Sequence, residues 1–316
     1  MTVALFTLGG TISMAGSHRL TGADLTTAMP GLTDLGHEVE IQDVEKIPSA
    51  NLTAAKLLEV VEAAAKAVAA GAAGAVITQG TDTLEESAFL ADLVWPHPQP
   101  LVFTGAMRNP TLAGPDGPAN LLAALRVACS PAARDLGALV VFTEEIHAAR
   151  WVRKTHSTST ATFRSPNAGP LGHVVEDQVR VLTRPARLES IQAQADLDSI
   201  RVALYTVTMD DDALLLQGLA DTHQGLVVAG YGVGHVPAAL APVLGDLATR
   251  IPVVLTSRTG AGSVVRNTYH SPGSETDLLR RGLIDGGFLD PYKARILLRL
   301  LLATNSGIAT VFEKYV

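Results

Sequence analysis

Over the first half of the chain the apolar residues come in short, unbroken runs. Val3-Ala4-Leu5-Phe6, Ala75-Val76-Ile77, Leu101-Val102-Phe103 and Ala138 to Phe142 are each apolar at consecutive positions, with Gly or Thr nearby. Such runs predict strands buried on both faces, as in a parallel sheet. Between them the apolar positions take a helical spacing, at Leu84 to Leu93 and Leu121 to Ala128. The Ala-rich stretch Leu52 to Ala73 carries Lys56, Glu59, Glu62 and Lys66, which makes it an amphipathic helix and not a membrane span. Strand and helix alternate from Val3 to about Val141, the βα pattern of an α/β fold.

The pattern weakens at Thr183 to Asp198, where Arg184-Pro-Ala-Arg187 opens a polar stretch. A smaller α/β unit follows, with strands at Arg201 to Tyr205, Leu226 to Val228 and Val253 to Leu255, closing in a helix over Pro291 to Ala303. The expected layout is a larger N-terminal parallel-sheet domain over residues 1–183, a linker over 184–200 and a C-terminal α/β domain over 201–316.

What stands at the strand ends changes the picture from fold to chemistry. The first strand breaks at Thr7-Leu8-Gly9-Gly10-Thr11-Ile12, and the Ala75–Ile77 strand runs into Thr78-Gln79-Gly80-Thr81-Asp82-Thr83. Two further strands run into Thr104-Gly105-Ala106-Met107-Arg108 and Thr143-Glu144-Glu145. In open α/β sheets ligands bind outside the C-terminal ends of the strands, so parallel neighbours would gather these groups in one crevice. Helix capping competes for some of them: Thr83 with Glu86, or Asp82 with Glu85, forms a capping box. Capping leaves Gln79, Gly80 and Thr81 unexplained.

A phosphate site fits poorly. No Lys-Ser/Thr follows Gly9-Gly10 and no third glycine completes a dinucleotide fingerprint, and Gly230-Tyr-Gly-Val-Gly234 is no better. A threonine hydroxyl attacks only when a base takes its proton and a third group orients the base. Among nine histidines, none forms an obvious pair with either threonine cluster. Lys154, in Trp151-Val-Arg-Lys-Thr-His156, lies where the chain could return over the crevice, although surface lysine is the commoner role. From the residues alone the reading ends at a threonine-based hydrolytic site with open partners.

Composition narrows the rest. The chain has 316 residues, 47% hydrophobic and 17% charged, which suits two domains with proper cores and excludes a disordered chain. A net charge of −7 argues against a nucleic-acid partner. Asp210-Asp211-Asp212 reads as a solvated helix start, and no ligand cluster with metal spacing is present. Cys129 is the single cysteine and lies beside an apolar helix, so it reads as core and no disulfide forms within the chain. The first residues have no basic leader and enter a strand at once, so the expected location is the cytoplasm.

Thr7-Leu-Gly-Gly-Thr-Ile12 together with Ile77-Thr-Gln-Gly-Thr-Asp-Thr-Leu-Glu-Glu86 resembles the paired active-site signatures of bacterial-type L-asparaginases. Thr104-Gly-Ala-Met-Arg108, Asp116-Gly-Pro-Ala-Asn-Leu121, Lys154-Thr155, Ala161-Thr-Phe163, Gly169-Pro-Leu-Gly172 and Pro291-Tyr-Lys-Ala-Arg295 continue the resemblance in order. It implies hydrolysis of the side-chain amide of asparagine, sometimes glutamine, with release of ammonia and without metal or cofactor. It implies that Thr11 is the nucleophile forming an acyl-enzyme and that Thr81, Asp82 and Lys154 prepare the deacylating water. Ser49, in Ile47-Pro-Ser-Ala50, falls where the family binds the substrate α-carboxylate, and Thr81 and Asp82 share in binding. Glu275 aligns with an acid contributed across a subunit interface to the substrate α-amine. The family's usual assembly is an intimate dimer, two of which pair as a homotetramer.

Three departures stand out. Ala50 replaces a Gln or Glu that family members often carry after the serine. The stretch Ser13 to Gly22 lacks the usual lid tyrosine, leaving Ser13 or Ser17 to supply a hydroxyl. Gly230 to Pro237 lacks the asparagines common in that loop. Together they point to looser, less asparagine-selective binding, so a glutaminase-leaning enzyme, another amino-acid amidase and a low-turnover amino-acid-binding relative stand as alternatives.

Overall fold

The computed structural model of the chain describes residues 1–15, 18–27, 29, 31–192 and 197–315. Ser17 and residues 193–196 of the expected linker lie outside the described residues. The chain divides into two units, Met1–Ile191 and Gln192–Val316.

In the first unit the strands are β1 (Thr2–Thr7), β2 (Met14–Ala15), β3 (His18–Arg19), β4 (Glu38–Asp43), β5 (Ala75–Thr78), β6 (Leu101–Thr104), β7 (Ala138–Phe142), β8 (Glu145–Ala148), β9 (Arg153–Lys154), β10 (Phe163–Arg164), β11 (Gly172–Val175) and β12 (Gln178–Val181). Its helices are α1 (Gly22–Thr27), α2 (Ala54–Ala69), α3 (Leu84–Val94) and α4 (Gly117–Cys129). Eight strands form the main sheet in the order β12-β11-β8-β7-β6-β5-β1-β4. The stretch from β4 to β7 is parallel, whereas β8, β11 and β12 extend it antiparallel. The antiparallel extension was not legible in the apolar runs, because strands such as β12 alternate exposed and half-buried residues.

Every residue of β5, β6 and β7 is buried, as two-sided cover requires. One core packs Val76, Val102, Leu139 and Val141 against Leu121, Ala124 and Leu125 of α4. Helix α2 is capped by Thr53, whose side chain accepts from the Lys56 amide. Cys129 is half-buried, and burial pushes its thiol up to about 12, which leaves it inert.

The order of the parallel strands decides where a ligand goes. From β1 the chain crosses to β4 on one side, then returns to lay β5, β6 and β7 on the other. The reversal is a topological switch point beside the C-terminal ends of β1 and β5.

The second unit holds β13 (Val202–Thr206), β14 (Gly225–Gly230), β15 (Val253–Ser257), β16 (Ile284–Asp285), and α5 (Leu219–Thr222), α6 (Leu240–Ala248), α7 (Glu275–Arg280), α8 (Pro291–Ala303) and α9 (Ile308–Phe312). Its four strands are parallel and lie in sequence order, without the reversal seen in the first unit. The Asp210–Asp212 run precedes a 3-10 turn: Asp211 accepts from the Ala213 amide and the Tyr205 hydroxyl, and Asp212 from the Leu214 amide.

Candidate active site

At the switch point two glycine turns press together. Gly10 has φ of +87°, and a Cβ there would fall 2.3 Å from the amide nitrogen of Gly80. A side chain at Gly80 would in turn meet Ser49 Oγ at 2.6 Å. Glycine is therefore required in both signatures by their contact with each other and with Ser49. This backbone-to-backbone approach brings the residues after each turn, Thr11 and Thr81, to one place.

A cavity of about 210 Å³ lies there, lined by Gly9, Gly10, Thr11, Ser13, Ser49 and Thr81 among others, with Asp82 at its edge. Its size suits a small amino acid better than a drug-sized ligand. Thr11 is half-buried, Thr81 is buried and Asp82 is exposed. Ser13 is buried, and its Oγ has no hydrogen-bond partner among the described residues.

Lys154 Nζ donates to Thr81 Oγ1 at 2.9 Å and to Asp82 Oδ1 at 2.8 Å. The Asp82 side chain is 69% exposed and that of Lys154 16%, so the pair adds little to stability and serves to hold the ammonium against the threonine hydroxyl. Lys154 reaches this point on the short β9–β10 ladder, where it faces Phe163. Phe163 packs on Phe142 of β7 with ring centroids 4.4 Å apart. Arg164 pairs with Glu145, and Ser165 Oγ lies 3.0 Å from His147 Nδ1. His147 is fully buried, and burial pushes its imidazole down to about 4 against the opposing pull of Glu145.

The capping reading does not hold for Thr83. It stands at the N-cap of α3 without a side-chain cap bond, and its hydroxyl donates to the Ser49 carbonyl at 3.0 Å. Ser49 Oγ accepts from the Asp82 amide at 3.2 Å. Two bonds thus tie the Ser49 turn to the Thr81–Thr83 segment. The Thr104 hydroxyl is spent within the sheet, on the Val141 carbonyl at 2.7 Å, and is fully buried. Thr143 takes a left-handed φ of +46° in the turn between β7 and β8. These two strand-end threonines build scaffold.

Asp116 and Asn120, quoted above without a role, organise the β6 end. The Asp116 carboxylate accepts from the Met107 and Arg108 amides, while Asn120 donates to Gly105 O and accepts from the Thr143 amide. Asp43 does the same for β1, taking the Thr7 hydroxyl and the Gly22 amide. Sequence reading passed over these scaffolding acids because a carboxylate aimed at local amides looks like any solvated one.

Glu275 lies in the second unit, at the start of α7, and is fully buried. Its carboxylate accepts from the Thr268 and Tyr269 amides at 2.9 and 2.8 Å, and His235 Nε2 lies 3.3 Å away. Burial raises its proton affinity, but the Tyr269 and Thr268 amides outweigh this and hold the carboxyl below the ordinary carboxylate range. Among the described residues no group of His, Cys, Asp and Glu is arranged to hold a metal ion.

Residues 2–187 match the family profile described as asparaginase, N-terminal, and residues 201–313 match the glutaminase/asparaginase C-terminal domain. An L-asparaginase of Bacillus licheniformis is 34% identical, covering 98% of both chains. A protein of Haemophilus influenzae named probable L-asparaginase periplasmic is 32% identical, covering 99% of this chain and 91% of the relative. The crystal structure of a protein named probable cytoplasmic L-asparaginase, from Campylobacter jejuni, superposes with a TM-score of 0.88 at 31% identity, covering 99% of this chain and 98% of that one. The matching profiles fall on both units, and the chain belongs to the asparaginase family.

Proposed function

We propose that the protein hydrolyses the side-chain amide of L-asparagine to L-aspartate and ammonia. The observation that carries this reading is the Thr81–Lys154–Asp82 contact at the rim of a small cavity that Thr11 also lines. Thr11 Oγ attacks the amide carbon; the C–N bond breaks, and ammonia leaves with the hydroxyl proton. The resulting ester on Thr11 is cleaved by water, which gives its hydroxyl to the carbonyl carbon and returns a proton to Thr11. Thr81 and Lys154, with Asp82 orienting the lysine, handle the proton of that water. Backbone amides at the Gly9-Gly10 and Gly80 turns are suited to stabilise the oxyanion of both steps.

Ser49 serves the amino-acid end of the substrate, since it lines the cavity and braces Asp82. Glu275 is assigned to the α-amine by resemblance, in an assembly of two or four subunits. The cavity volume of about 210 Å³ favours a small amino-acid substrate over a bulky derivatised amide. The protein acts without metal or cofactor in this scheme. A cytoplasmic location fits the relative from Campylobacter jejuni, named a probable cytoplasmic L-asparaginase, and no helix among the described residues is long and apolar enough to cross a membrane.

The test is ammonia release from L-asparagine and L-glutamine by the wild type and by Thr81→Val, which removes one hydroxyl and keeps the shape. The variant is expected to lose at least about 1,000-fold in kcat with its thermal midpoint little changed. Wild-type rates in that variant would refute the assignment.

A further inference from the structure

Lys154 is held by its main chain as well as by its side chain. Its backbone N–H donates to Glu85 Oε2 at 2.7 Å. Glu85 stands in the first turn of α3 and is 7% exposed, so a buried carboxylate accepts this charge-assisted bond from the half-buried Lys154 amide. Thr81 and Asp82, which hold the ammonium, come immediately before the same helix. One short segment therefore grips the lysine at both ends: Thr81 and Asp82 take the tip, and Glu85 fixes the point from which the side chain starts.

The local ladder alone gives little restraint. Strand β9 is two residues long and pairs with β10 in a two-stranded sheet separate from the main one. The ties from Phe142, Glu145 and His147 reach β10 and the residue after it. Glu85 reaches β9 itself, at the residue that matters.

We propose that Glu85 is a positioning residue for Lys154, and that it supports turnover through its reach to the Lys154 amide and not through its charge. This rests on the role given to Lys154 above. A carboxylate in the first turn of a helix also favours the helix dipole, and that ordinary role would follow charge and appear as stability.

Two conservative variants separate the roles. Glu85→Gln keeps the length and an acceptor oxygen but removes the charge; Glu85→Asp keeps the charge and withdraws the oxygen by one methylene. Positioning predicts that Glu85→Gln keeps kcat for L-asparagine within about threefold, while Glu85→Asp loses about 10- to 100-fold with KM within about twofold. Thermal midpoints should fall more for Glu85→Gln than for Glu85→Asp, reporting the helix-end role separately. Wild-type kcat in Glu85→Asp, or equal losses in the two variants, would overturn the proposal. Lys154→Met measured alongside keeps the two readings apart. If that variant works at the wild-type rate, the role of Lys154 itself fails; if it is inactive while Glu85→Asp is unimpaired, only the Glu85 proposal fails.

Discussion

At the scale of single residues, the site depends on side chains that are absent as much as on those present. Gly80 has no room for a Cβ, because Ser49 Oγ would lie 2.6 Å and Ser49 Cβ 2.9 Å from it. Gly80→Ala should therefore displace Ser49, weaken its bond from the Asp82 amide, and cost about 1–3 kcal/mol of stability from overpacking. The expected result is a lower thermal midpoint together with at least about a tenfold loss in kcat/KM for asparagine. Thermal denaturation and steady-state ammonia release check both. Glycines and threonines in these signatures were legible as chemistry from their position after buried runs. The direction of each hydroxyl was not: Thr81 faces Lys154, Thr83 the Ser49 carbonyl and Thr104 the Val141 carbonyl, and residue type alone does not distinguish them.

At the scale of elements, β1 and β5 to β7 could be read because they are buried on both faces and so are almost wholly apolar, whereas β4, parallel but exposed and polar at the sheet edge, could not. The β9–β10 ladder could not, since two-residue strands are too short for any periodicity to register. Yet it is this ladder that delivers Lys154. Its anchorage includes a buried histidine, which gives the element a pH signature. In the folded protein His147 titrates at about 4, against 6.5 for the free group, because burial disfavours its charge. The groups acting on it are Glu145, which favours the charge, and Arg164 and His173, which oppose it. The unfolded chain then binds the proton first as pH falls, so this contribution to stability is intact above about 6.5 and is lost progressively toward 4. His147→Asn, which retains a polar atom for Ser165 but cannot titrate, should flatten the decline of thermal midpoint between those two values. An unchanged slope in the variant would place the sensitivity elsewhere.

At the scale of the whole molecule, the two units differ in what their topology permits. The first has a reversal in strand order and carries Thr11, Ser49, Thr81, Asp82 and Lys154 about it; the second runs its strands in sequence order and carries Glu275 in a buried, amide-saturated position. The full-length match to asparaginases covers both units, so the sheet without a reversal in strand order belongs to the shared architecture. The central claim is that turnover of asparagine depends on the Lys154 ammonium held between Thr81 and Asp82. Its most direct test is ammonia release from L-asparagine, over a wide concentration range, by the wild type and by Lys154→Met. The account predicts saturable release by the wild type and a loss of at least about 1,000-fold in kcat for the variant, with the fold intact. Turnover by Lys154→Met at the wild-type rate would contradict it.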